Sequence, residues 1–107
     1  MKQLGFIEEL IPLVISGEKT ITWRVNDDKN LSVNDLVECV ESKTRKQFCR
    51  IKLLSIRNTT FGQLTDDDWK GHEKFASSEA MYKQYSKNYG FKITPETPLK
   101  VINFRLI

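Results

Sequence analysis

The feature that most constrains the fold is a strict alternation over residues 20–25, Thr-Ile-Thr-Trp-Arg-Val. Ile21, Trp23 and Val25 fall on one side and Thr20, Thr22 and Arg24 on the other, the period-two signature of a strand with one buried face. Residues 36–41 and 48–56 repeat the pattern and read as a hairpin joined by the polar segment 42–47. In its second arm Cys49, Ile51 and Leu53 share a face, and Phe48, Arg50 and Lys52 share the opposite one. Residues 99–107 form a closing strand, with Ile102, Phe104 and Leu106 expected inward.

Between these runs the period changes. Ile7, Leu10, Ile11 and Val14 follow helical spacing, interrupted by Pro12, and Gly17 supplies a helix stop. Thr65 followed three residues later by Asp68 is a capping pair, so the run Asp66, Asp67, Asp68 reads as a helix start rather than a metal site. Ser77 or Ser78 opens a further helix, which carries Met81, Tyr82, Tyr85 and Tyr89 along one side and ends at Gly90. Residues 94–98 make a turn before the last strand. Strands separated by short helices imply an α+β fold, a small mixed β-barrel with short helices packed on it.

The chain's 107 residues suit a single domain spanning residues 1–107. With 39% hydrophobic and 29% charged residues, disorder is excluded. Seventeen basic residues against fourteen acidic ones give a charge of +3, which fits a polyanionic partner without demanding one. Residues 1–11 lack the long apolar run of a secretory signal, and no stretch approaches the length of a membrane span. Two cysteines, Cys39 and Cys49, are too few for a disulfide framework, and both are expected inside the fold. A cytoplasmic location with free thiols is expected, with no membrane association and no obligatory protein partner. His72 is the only histidine, so a zinc site lacks ligands; no metal and no cofactor is expected.

The chemically richest run is Gly17-Glu18-Lys19-Thr20-Ile21-Thr22-Trp23-Arg24. It sets an amine, two hydroxyls and a guanidinium at a loop-to-strand junction, with Thr22 and Arg24 on one face. Gly17 permits a turn or a close ligand approach. Cations and hydroxyls so placed bind a phosphate or a base edge. Alternatively, a lysine near a fixed cation loses proton affinity and activates a threonine as a nucleophile. The plain alternative is a solvated strand face beside a helix stop. A second candidate surface is Lys46, Phe48, Arg50 and Lys52, three cations interleaved with an aromatic; the pattern suits single-stranded RNA, but it is more often the protected outer side of an edge hairpin. His72, next to Glu73, is either a substrate contact or a packing residue. Trp23 is expected in the core, whereas Trp69 could border a cleft near Glu73.

Gly17-x-Lys19-x-x-Thr22-x-Arg24 resembles the signature of the ASCH family, whose PUA-like fold is related to RNA-binding domains. The likeness extends over nearly the whole chain. Val33-Asn34-Asp35 stands where the family has Gly-Asp before its second strand, with Asn34 taking a left-handed turn. Phe61-Gly62-Gln63-Leu64-Thr65, Gly71-His72-Glu73-Lys74-Phe75 and residues 101–106 are similar to later family segments. One branch of the family removes the acetyl group from N4-acetylcytidine with a lysine, a threonine and a distant glutamate. The resemblance implies Lys19 as base, Thr22 as nucleophile and Glu73 as proton donor. It also implies a substrate site drawing on Gly17, Thr20, Arg24, His72 and Trp69. The partner implied is a nucleoside or a single-stranded RNA, and the rival reading is a non-catalytic RNA-binding module or a reader of a modified base.

Overall fold

The computed structural model describes residues 1–107. Five strands, β1 (Gln3–Phe6), β2 (Ile21–Arg24), β3 (Leu36–Glu41), β4 (Gln47–Thr60) and β5 (Pro98–Leu106), form one sheet in the order β1-β3-β4-β5-β2. β1 runs parallel to β3, and every other pairing is antiparallel. Three helices accompany the sheet: α1 (Ile11–Ser16), α2 (Asp66–Trp69) and α3 (Ser78–Tyr89). β1 and β2 are the sheet's two edges and no backbone pairing joins them, so the sheet is not closed into the barrel expected from the sequence. Side chains bridge that seam instead: the Arg24 guanidinium of β2 lies 4.9 Å from the centre of the Phe6 ring of β1.

The alternation of residues 20–25 and of the final strand builds two cores on opposite faces of β5. Ile102 and Phe104 join Leu4, Phe6, Val37, Ile51 and Leu53 in one. Leu99 and Val101 join Ile21, Trp23, Phe61, Met81 and Tyr85 in the other. Burying a large apolar side chain contributes about 1.5–3 kcal/mol, so both clusters are needed to stabilise a chain this short. Leu106 departs from the inward expectation. It pairs with Ile51 at the last register position, at the rim of the sheet, and stays exposed.

Two bulges explain why β4 does not alternate throughout. A register shift opposite Cys39 and Val40 leaves Phe48 as the extra residue of β4. Its ring then packs on the first core, edge-on to Phe6 at 6.0 Å, rather than standing among the cations of the outer face. A second shift, between Leu53 and Ser55, turns Leu54 out to solvent. Cys39 is buried opposite the half-buried Cys49, and both thiols are free.

The helix ends follow their sequence signals. Pro12 sits in the first turn of α1, with a separate 3-10 turn over Glu8–Leu10, and Gly17 caps the end with φ 83°. Thr65 and Asp68 form the reciprocal capping box of α2. The Ser77 hydroxyl accepts the Ala80 N–H at the start of α3, and Gly90 closes it with φ 77°. Asn34 has φ 73°, the left-handed turn expected of it.

Candidate active site

Gly17 reverses the chain at the end of α1, and the Lys19 N–H donates to the Leu13 carbonyl at 2.9 Å. This fold-back drives the lysine side chain into the protein, where only 2% of it is exposed. Its Nζ donates to the Ile21 carbonyl at 2.6 Å and to Glu73 Oε1. Burial lowers the Lys19 pKa below the ordinary lysine value; Glu73 opposes that shift and Arg24 adds to it.

Glu73 arrives from a loop that docks on the start of β2. The Gly71 carbonyl accepts the N–H groups of Thr20 at 2.8 Å and Ile21 at 3.1 Å. Gly71 has φ 79°, and a Cβ there would stand 2.1 Å from Thr20 Oγ1. Only glycine lets the loop approach this closely. Burial works to raise the Glu73 pKa, but the Lys19 charge and hydrogen bond and the neighbouring His72 hold it below the usual carboxylate range.

Thr22 is buried and its Oγ1 accepts from Arg24 Nε at 3.0 Å. Lys19, Thr22, Arg24 and Glu73 all line one cavity of about 480 Å³, in the seam between the unpaired edges of β1 and β2. That volume lies within the range of small-molecule sites. Its aromatic walls are Phe6, Trp23, Phe75, Tyr85 and Tyr89.

The other residues singled out from the sequence are placed elsewhere. Gly17 is exposed outside the cavity and shapes the turn. Thr20 is the platform under Gly71. His72 lies behind the cavity wall, stacked on Trp23 with ring centres 3.7 Å apart. Its Nδ1 is 2.8 Å from the Glu73 carbonyl oxygen and its Nε2 is 3.1 Å from the Tyr85 hydroxyl. Burial, then the Lys19 charge, lowers the His72 pKa to about 4, so the ring is neutral at neutral pH. Trp69 packs edge-on against Trp23 at 4.7 Å and does not reach the cavity lining. Lys46 and Arg50 are exposed and Lys52 is half-buried, away from the cavity; Arg50 lies 3.8 Å from Glu38. Sequence reasoning did not include Gly5, Phe6 and Ile7, which enter the cavity through the unforeseen strand β1. Tyr85 and Tyr89, which the sequence places along one side of a helix, also line the cavity, and the hydroxyls of two tyrosines four residues apart are a polar signal a purely apolar stripe lacks. No three His, Cys, Asp or Glu side chains come together as metal ligands, and no helix is long and apolar enough to cross a membrane.

No protein-family model matches the chain. Among solved structures it superposes on the ASCH domain from Lactobacillus crispatus JV V101 with a TM-score of 0.70 at 15% identity, covering 98% of this chain and 79% of that one. That likeness establishes an ASCH-type fold. Among curated proteins it is 31% identical to the N(4)-acetylcytidine amidohydrolase of Vibrio campbellii, over 98% of this chain and 93% of that protein. It is 34% identical to the N(4)-acetylcytidine amidohydrolase of Vibrio parahaemolyticus, over 60% of each chain, so this match spans about three fifths of the relative's length. The chain belongs to the ASCH family, in which these amidohydrolases are its relatives.

Proposed function

We propose that the chain is an amidohydrolase that removes the acyl group from N4-acetylcytidine or a related acylated nucleoside, with Lys19, Thr22 and Glu73 as its catalytic groups. The observation that carries the reading is the pairing of buried Lys19 with half-buried Glu73 in the same cavity as Thr22. The ion pair and its neutral tautomer differ only in which partner holds one proton, and burial narrows the gap between them. In the neutral form Lys19 is a base and Glu73 an acid.

Lys19 accepts the Thr22 hydroxyl proton as Oγ1 bonds to the acyl carbon. The carbon–N4 bond breaks, and Glu73 gives its proton to the departing N4. Cytidine leaves, with the acyl group on Thr22, Lys19 as ammonium and Glu73 as carboxylate. Water then attacks the ester and loses a proton to Glu73. The Thr22 oxygen departs and recovers its proton from Lys19, which restores the starting state. Arg24 Nε, already bonded to Thr22 Oγ1, stabilises negative charge on that oxygen in both steps. The aromatic walls suit a planar base.

Incubation with N4-acetylcytidine, with cytidine and acetate followed by chromatography, tests the proposal; absence of release by the wild-type protein overturns it. A second reading, binding of single-stranded RNA, is favoured by the exposed Lys46 and Arg50 and by a separate open basin of about 370 Å³ lined by Lys2, Lys29 and Arg45. It is weakened by the inward turn of Phe48, which removes the stacking platform from that face.

A further inference from the structure

The hydrogen bonds behind the cavity set what each tyrosine hydroxyl has left to offer a ligand. A carbonyl oxygen only accepts, so His72 Nδ1, 2.8 Å from the Glu73 carbonyl, carries a proton. The neutral ring has one N–H, which leaves Nε2 bare, and the Tyr85 hydroxyl 3.1 Å away donates to it. A phenol has a single proton. With that proton committed to His72, the hydroxyl of Tyr85, a residue of the cavity lining, has only a lone pair to offer a ligand. Tyr89, one turn further along α3 with its ring parallel to that of Tyr85 at 6.2 Å, has the reverse arrangement. Its oxygen accepts the Val25 N–H at 3.2 Å, so its own proton is free for the cavity. One helix face thus carries a hydroxyl that can only accept and one that is free to donate, on two residues that line the cavity of Lys19, Thr22 and Glu73.

We infer that Tyr85 and Tyr89 read the base: Tyr85 accepts the exocyclic N4–H of a cytosine-type ring, and Tyr89 donates to the adjoining ring nitrogen N3. The inference rests on the proposed reading of this cavity as an acylcytidine site, and it names what the site recognises. Cytosine presents a donor next to an acceptor on this edge, as adenine does. Uracil presents the reverse, an O4 acceptor beside an N3–H donor, and sets the O4 lone pairs against the Tyr85 lone pair, a clash that rotation of the Tyr89 hydroxyl cannot relieve. A singly acylated N4 keeps one N–H and is accepted. An N4-acetyl-N4-methylcytidine has none and leaves Tyr85 facing a methyl group.

Three measurements on the intact chain test this. Because His72 is the only histidine, a side-chain ¹⁵N NMR spectrum reports its tautomer directly. The expected state is a protonated Nδ1 and a bare Nε2 whose resonance moves in Tyr85→Phe; a protonated Nε2 overturns the inference. In calorimetric titrations cytidine is expected to bind about tenfold or more tightly than uridine, the scale of one mispaired hydrogen bond, with the preference reduced in Tyr85→Phe. The wild-type comparison stands whether or not that variant folds. Equal affinities, or no cytidine binding at millimolar concentration, overturn the inference. Replacing N4-acetylcytidine by its N4-methyl analogue is expected to lower kcat/KM about tenfold or more, and equal turnover of the two overturns the role of Tyr85. A protein that prefers cytidine to uridine but releases nothing from N4-acetylcytidine overturns the hydrolase reading and keeps this one. Release of cytidine without base preference overturns this one alone.

Discussion

The two cores lie on opposite faces of one strand and differ in kind. The first, around Leu4, Val37, Ile51 and Leu53, takes its aromatic content from phenylalanines: Phe6 and Phe104, with Phe48 beside them. The second, around Trp23, Phe61 and Tyr85, is fringed by Trp69, Tyr82 and Tyr89, side chains with a polar handle. Each buried polar or charged residue, Lys19, Thr22, Asp68 and His72, lies outside the first core. Trp23 Nε1 donates to the Asp68 carbonyl, His72 stacks on Trp23, and Asp68 pairs with Arg57. A core of phenylalanine and aliphatic groups makes no demand for hydrogen bonds. A core of tryptophan and tyrosine must satisfy them, and so it can hold titratable groups in a dry place. The cavity lies where the two meet, with Phe6 of one core facing Trp23, Tyr85 and Tyr89 of the other.

The contrast predicts opposite consequences for two small changes. Thr22→Ala removes the proposed nucleophile and, with it, the acceptor of the Arg24 Nε hydrogen bond. Its hydrolysis of N4-acetylcytidine should fall by about a thousandfold or more, while stability falls by only about 1 kcal/mol. Lys19→Arg should be comparably damaging, because arginine does not give up its proton. Ile51→Ala, in the first core, should lose about 2–5 kcal/mol of stability in denaturant titrations and keep its turnover per folded molecule. A Thr22→Ala protein that retains turnover, or an Ile51→Ala protein with altered KM, breaks the division of labour between the two cores.

A smaller effect separates them by pH. His72 titrates at about 4 in the fold and near its ordinary value of about 6.5 in the unfolded chain. Between those values the unfolded chain binds a proton that the native state does not. Stability therefore falls as pH drops from about 6.5 to about 4, by about 3 kcal/mol, and His72 adds nothing further below that. Glu73, Asp68, Asp35 and Glu41, whose pKa values are lowered in the fold, lose their contributions in the more acidic range, from about 4.5 downward for the glutamates and about 3.8 for the aspartates. Denaturant titrations at pH 7, 6, 5 and 4.5 should show this slope in the wild type and a flatter one in His72→Gln. Equal slopes would mean that the second core does not hold the ring neutral.

How much of this was legible in the sequence follows the range of the interactions. The alternation of residues 20–25 and the local cap signals at Gly17, Thr65, Asp68, Ser77 and Gly90 rest on neighbours in the chain, and those elements formed as read. β1 is four residues long and is specified by parallel pairing with β3, from Gln3 opposite Glu38 to Phe6 opposite Glu41, which no local pattern reveals. Phe48 alternates with the cations in sequence, yet a bulge set by β3 turns it inward. Lys19, Thr22 and Arg24 are neighbours in the chain, so their proximity was readable. The meeting of Glu73 with Lys19 depends on Gly71 touching Thr20, a contact across 51 positions whose only sequence trace is the glycine itself. The cavity's tyrosines were visible as a stripe, but their hydrogen-bond polarity depends on His72 and Val25, which only the tertiary structure brings to them.

The smallest expected effect concerns how the second core is held. α3 has twelve residues, short enough that its stability depends on tertiary packing and on its ends. Met81 and Tyr85 anchor it to the sheet side, and the Ser77 hydroxyl satisfies the Ala80 N–H at its start at 3.1 Å. Ser77→Ala leaves that donor to solvent and should lower global stability by about 1 kcal/mol, the usual worth of an N-cap. Tyr85 and Tyr89 lie two and three turns further on and are fixed by ring packing and by their own hydrogen bonds. The fraying should therefore stay in the first turn. Amide exchange should quicken at Ala80 and Met81 and be unchanged, relative to global stability, at Tyr85. A loss much above 1 kcal/mol, or faster exchange extending to Tyr89, would show that the cap rather than the aromatic packing positions the cavity's tyrosine wall.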